Sequence, residues 1–139
     1  MTNDWLEDFS KEVLDNLSTH TDIQFPMYVP SKGRSDLKLT TKALADVDIP
    51  FYVVVEPQDY NDYLEHYDPT QLVKMDKDDQ GIGYVRNACK QHSISIGAEY
   101  HWQLDDNIKD FRIREDGKNV VKDTRNVLSA AENIVTRFD

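Results

Sequence analysis

Phe51 to Val55 is an unbroken run of aromatic and β-branched residues, FYVVV, closed by Glu56 and Pro57. Such side chains suit a pleated strand, and a run without polar alternation suits one covered on both faces. A parallel strand between two helical layers meets that condition, so this segment is the clearest strand of the chain and favours an α/β architecture.

Its neighbours fall into the matching order. IQFPMYVP reads as a short strand ending at Pro30, and SKGRSD as a loop in which Gly33 frees the backbone and Ser35 caps the next helix. Leu37, Thr41, Leu44 and Ala45 share one face of that helix, which stops at DIP, residues 48–50. After the FYVVV strand come a short helix in QDYNDYLEHY and a third strand in QLVKM. A loop, DKDDQGIG, leads into the helix YVRNACKQHSIS, and AEYHWQLD is a fourth strand. FRIREDGKNVVKD predicts a hairpin turning at Asp116-Gly117, and TRNVLSAAENIVTRF a final helix capped by Thr124. At the other end, Trp5, Phe9 and Val13 recur at i, i+4 with Leu6 and Leu17 beside them, predicting an amphipathic helix in residues 1–20 capped by Asn3 or Asp4.

Alternating strands and helices predict a mostly parallel sheet flanked by helices, Rossmann-like in class, with ligands beyond the carboxyl ends of the strands. The unusual polar residues fall there: Ser31 to Arg34 after the first strand, Glu56 after the second, DDQGIG after the third, Asp105 and Asp106 after the fourth. The chain of 139 residues suffices for one core, and no apolar run nears the roughly 20 residues a bilayer crossing needs. One cysteine, Cys89, permits no internal disulfide, and the acidic start lacks the pattern of a signal peptide, so a cytoplasmic location is expected. A net charge of −10 opposes unaided binding of nucleic acid, since duplex affinity comes largely from Lys and Arg.

Asp105 and Asp106 either close a turn or hold a hard cation such as Mg²⁺ or Mn²⁺ through oxygen, and spacing alone does not choose. VPSKGRS offers amides and two cations before a helix start, suited to an anion, but lacks the spacing of a phosphate loop. GIGYVRN places Arg86 and Asn87 at the start of a helix, where Arg can reach a diphosphate or remain solvated. His20, His66, His92 and His101 form no metal pattern, and His101, beside Trp102, is expected to be packed or hydrogen-bonded.

YVPSKGR, YVVVEPQDY, QGIGYVRN and WQLDDNI, in that order, resemble the TET-associated glycosyltransferases of bacteriophages, members of the GT-A class of nucleotide-sugar transferases. The resemblance runs from about Pro26 to Phe111 and implies a GT-A-like domain over 21–139. It implies a metal-dependent hexosyl- or pentosyltransferase acting in the host-cell cytoplasm, with a nucleotide-sugar donor, a UDP-sugar first, and a 5-hydroxymethylpyrimidine in phage DNA as acceptor. Pro30, Ser31, Gly33 and Arg34 would line the nucleotide pocket, Glu56 with Gln58 would meet base or ribose, and Gln80, Gly81, Arg86 and Asn87 would follow ribose and diphosphate. Asp105, Asp106 and Asn107 would stand for the D-x-D metal motif, with Mn²⁺ or Mg²⁺ as cofactor. Asp105, Asp106 and Arg86 would carry the chemistry. The chain stops a hairpin and a helix after LDDN, so an acceptor-binding half is expected from a partner chain or self-association. The other reading is a non-catalytic relative that acts on a host protein through its acidic surface.

Overall fold

The computed structural model describes residues 23–115, 117–121 and 124–137, so the helix expected at the N-terminus lies outside the described residues. Two compact units divide the chain, one of residues 25–109 and one of the segments on either side.

The larger unit runs β1 (Met27–Pro30), α1 (Leu39–Ala45), β2 (Tyr52–Val55), α2 (Tyr60–Leu64), β3 (Leu72–Lys74), α3 (Ile82–Ser95) and β4 (Trp102–Gln103), with short 3₁₀ turns at Pro57–Asp59 and Pro69–Gln71. The sheet is all parallel in the order β3-β2-β1-β4. Its register pairs Val29 with Val53, Val54 with Val73 and Met27 with Trp102. This is the expected α/β architecture. Val53, Val54 and Val55 are 1%, 0% and 0% exposed, which is why the FYVVV run lacks polar alternation. On one face Tyr28 and Val54 cluster with Met75 and with Cys89 of α3. Alternation turns Val29, Val53 and Val55 to the other face, and Leu44 of α1 and Tyr63 of α2 are also buried. Each such apolar side chain contributes about 1.5–3 kcal/mol through burial.

The smaller unit holds a hairpin, β5 (Arg112–Glu115) and β6 (Lys118–Val121), antiparallel with Glu115 opposite Lys118, as the Asp-Gly turn predicts. It ends in α4 (Thr124–Arg137), on which Leu128, Ser129 and Ala130 are buried. The Gln24 amide donates to the buried Glu132 carboxylate at 2.8 Å.

Several boundaries differ from expectation. Ser35 does not cap α1; it lies in a turn closed by the Leu37 amide on the Arg34 carbonyl, and Lys38 precedes the helix without a side-chain cap. Helix α3 begins at Ile82, so Gly81 alone enters it and Gly83 is inside the first turn. Only Trp102 and Gln103 of AEYHWQLD join the ladder, opposite Met27 and Tyr28; Tyr100 instead packs its ring against Phe25. Thr124 is the first residue of α4 rather than its cap.

Candidate functional site

The chain leaves β1 through β2 to β3 on one side and returns to pair β4 on the other side of β1, so β1 and β4 flank the topological switch point. The loops beyond the strand ends part there, and ligands of open α/β sheets bind in the resulting crevice. A cavity of about 290 Å³ occupies this position, walled by Pro30, Ser31, Lys32, Arg34, Glu56, Gly81, Asp105 and Asp106, with Val54, Met75, Ile82 and Val85 as its apolar part. Seven residues expected at the site therefore meet: Pro30, Ser31, Arg34, Glu56, Gly81, Asp105 and Asp106.

Asp106 is 7% exposed and held by a chain of hydrogen bonds. Ser31 Oγ donates to Asp106 Oδ2 at 2.8 Å and lies 2.6 Å from the Tyr63 hydroxyl, which in turn accepts from the Arg34 amide at 3.1 Å. Ser31 has a single hydroxyl proton, and the carboxylate takes it, so Tyr63 donates to Ser31. The chain thus runs from Arg34 N–H through Tyr63 and Ser31 to the carboxylate, each bond polarising the next. Arg34 Nε also pairs with Asp106 Oδ2 at 3.5 Å. Burial holds the Tyr63 phenol above its ordinary pKa, consistent with a proton donor.

The carboxylate loop itself is pinned from below. Thr40, fully buried on α1, donates to the Asp105 carbonyl and accepts from the Ile108 amide at 2.8 Å, while Leu104 N–H bonds to Tyr28 of β1. Asp105 keeps an exposed side chain on the cavity wall. Asn107 is exposed and lies outside the wall.

Glu56 is 4% exposed and both oxygens accept from the protein: Oε1 from Gln58 Nε2 at 2.6 Å and Oε2 from the Asp79 amide at 2.9 Å. Lys32 Nζ sits 3.5 Å from Glu56 and 2.5 Å from Asp79. The Asp79 bond holds Lys32 above its ordinary pKa and Asp79 below, so both stay charged. These contacts tie the loop after β3 to those after β1 and β2. Asp79 adopts φ 56° in that loop, and Gly81 follows at φ 87°, ψ 175°, a region essentially reserved for glycine.

The remaining expected residues lie apart from this cavity. The Gly33 amide donates to Asp59, and Gln80 bonds the Asp78 carbonyl; neither these nor Gln58 and Asn87 reach the wall. Arg86 lines a second cavity of about 190 Å³ with Gln103 and Leu104, and Pro30, Ile82, Val85 and Asp105 serve both cavities. Lys32, one of the two cations of VPSKGRS, joins the wall, whereas Thr40 and Tyr63 were missed. Tyr63 was within reach of sequence reasoning, because Tyr60, Tyr63 and Tyr67 repeat at i, i+3, i+7 and so share one helical face.

Among the described residues no three His, Cys, Asp or Glu side chains converge to hold a metal by themselves. The first cavity nevertheless carries three carboxylates, Glu56, Asp105 and Asp106, against two cations, Lys32 and Arg34. An anionic ligand entering it is favoured when a divalent cation shares the space. Asp105 and Asp106 are hard-oxygen donors suited to one, provided the ligand completes its coordination.

Fold and cavity together define a class: an open parallel α/β domain with a charged ligand crevice at its switch point. Among known families, the model for TET-associated glycosyltransferases matches residues 25–139. The chain belongs to that family, and membership carries glycosyltransferase function with binding of a nucleotide-sugar donor. No curated protein and no solved structure matches the chain. Among the described residues no helix is long and apolar enough to cross a membrane.

Proposed function

We propose that this glycosyltransferase binds a nucleoside-diphosphate sugar, UDP-linked in the first instance, in the switch-point cavity and transfers the sugar with the help of a divalent cation. One observation carries the reading: residues from four separate strand-end loops meet in a single cavity holding two cations, three carboxylates and an apolar wall. Met75, Ile82 and Val85 give a base or ribose an apolar surface, and Arg34 and Lys32 bring positive charge to the diphosphate. Asp105 and Asp106 would hold Mn²⁺ or Mg²⁺, which when bound neutralises charge developing on the departing diphosphate. The Ser31–Tyr63 chain holds Asp106 in place.

The acceptor follows from the family resemblance: a hydroxymethylated pyrimidine in phage DNA, modified in the host cytoplasm. With a net charge of −10 the chain grips duplex poorly alone, so a partner chain or self-association presents the DNA.

Calorimetric titration with UDP and UDP-sugars, with and without Mn²⁺, tests this on the wild type, Asp105→Ala and Asp106→Ala. Binding that requires Mn²⁺ and weakens at least tenfold in Asp105→Ala, whose side chain is exposed, supports the reading. Silence from UDP-, GDP- and dTDP-sugars alike overturns it and leaves an acidic binding protein as the better account.

A further inference from the structure

The second cavity has a chemistry of its own, set by Gln103. Its Nε2 lies 3.2 Å from the Arg86 carbonyl, which can only accept, so the amide orientation is decided. The same Nε2 lies 2.9 Å from His101 Nε2, which must therefore be the unprotonated ring nitrogen. The His101 proton is then on Nδ1, facing Ser93 Oγ at 3.3 Å, and Ser93 can accept it because its own hydroxyl donates to the Lys90 carbonyl at 2.7 Å. Every proton in this network has one consistent place. Burial, followed by the charge of Lys90, lowers the His101 pKa in keeping with the neutral ring.

The consequence falls on the cavity. Both amide hydrogens of Gln103 are engaged inside the protein, so Oε1 is what the side chain offers a ligand. Asp105, on the same wall, offers carboxylate oxygens, while Pro30, Val85 and Leu104 supply apolar surface and Arg86 a cation. Oxygen acceptors beside an apolar wall match a sugar ring, which presents hydroxyl donors at its rim and C–H groups on its face. A diphosphate, which only accepts, lacks that pattern, and the nucleoside has its own apolar wall at Val54 and Met75 in the first cavity. Asp105, Pro30, Ile82 and Val85 belong to both cavities, so one extended molecule can occupy the two together.

We infer that the second cavity is the pocket for the transferred sugar, with Gln103 Oε1 accepting from a sugar hydroxyl while the nucleoside diphosphate occupies the first. This rests on the nucleotide-sugar reading above and adds the residue that selects the sugar.

The test compares Kd for UDP, UDP-glucose and a set of UDP-deoxyglucoses, each lacking one hydroxyl, on wild type and Gln103→Ala in the presence of Mn²⁺. UDP-glucose should bind wild type more tightly than UDP, and Gln103→Ala should lose about fivefold of that gain, the worth of one neutral hydrogen bond. One deoxyglucose should bind the two proteins alike, since it and the variant remove the same bond. Its comparison within the wild type does not depend on how the variant folds. If UDP-glucose binds wild type no better than UDP, or if every deoxy sugar still distinguishes wild type from variant, the sugar pocket is overturned while the donor reading stands. If UDP and all its sugars fail to bind wild type, both fall together.

Discussion

Replacing Tyr63 with Phe deletes one oxygen from the interior and tests whether the hydrogen-bond chain supports Asp106. The ring stays, so the 1% exposed pocket it fills keeps its packing. Two bonds go: the one to Ser31 at 2.6 Å and the one from the Arg34 amide at 3.1 Å. Ser31 retains its donation to Asp106, so only its acceptor side is vacated. The Arg34 N–H fares worse, because a partly buried donor loses its acceptor. Leaving such a group unsatisfied costs about 1–3 kcal/mol, more than the average net worth of the bond itself. With a urea m-value of about 1–2 kcal/mol/M for a domain this size, the midpoint should fall by about 1 M at unchanged m. Tyr60→Phe is the control: its ring stacks under Lys74 at 5.0 Å, a contact the change preserves, and its midpoint should move by less than about 0.5 kcal/mol equivalent. Equal midpoints for Tyr63→Phe and wild type would show that the chain adds nothing beyond what water supplies, and its role in holding Asp106 would be refuted.

Gly81→Ala should destabilise by about 1–3 kcal/mol, read by urea unfolding, because φ 87° with ψ 175° excludes a Cβ while no atom lies within 4 Å to clash with it. Stability should also decline as pH falls from 6.5 toward 5. Burial lowers the pKa of His92 and, together with Lys90, that of His101; the unfolded chain therefore binds protons first, and the stability present above pH 6.5 is lost as pH falls through the folded values. Urea midpoints at pH 7.5 and 5 measure this, and His92→Gln should flatten the difference; an unchanged slope would mean that burial does not oppose protonation of His92.

How much was legible depended on the range over which the cause acts. Val53 to Val55 announced a covered strand because burial on both faces is written in consecutive side chains. The Asp-Gly hairpin was equally local, and Glu115 opposite Lys118 follows from it. The extent of AEYHWQLD was overread, since strand propensity does not reveal that β4 lies at an edge against a four-residue neighbour. At the site, position along the strands brought Ser31, Glu56 and Asp106 to one edge. That Asp106 is buried and takes its proton donor from Ser31 depends on a partner far away in sequence, which no local pattern records. Arg86 was expected at a helix start within reach of a diphosphate; it stands in the second turn of α3, on the wall of the second cavity, because that helix already begins at Ile82.

The sheet order also sets a timetable for assembly. Strands β1, β2 and β3 can pair in succession as the chain emerges, but β4 closes onto β1 only after α3 is complete, and Met27 waits for Trp102 across most of the unit. Closing so long a loop is entropically costly and gives no return until the last pairing forms. Both cavities include residues from each side of that final seam, so neither exists in a partly made chain. Each cavity is complete only when β4 lies against β1, and a ligand that spans β1 and β4 ties down that joint.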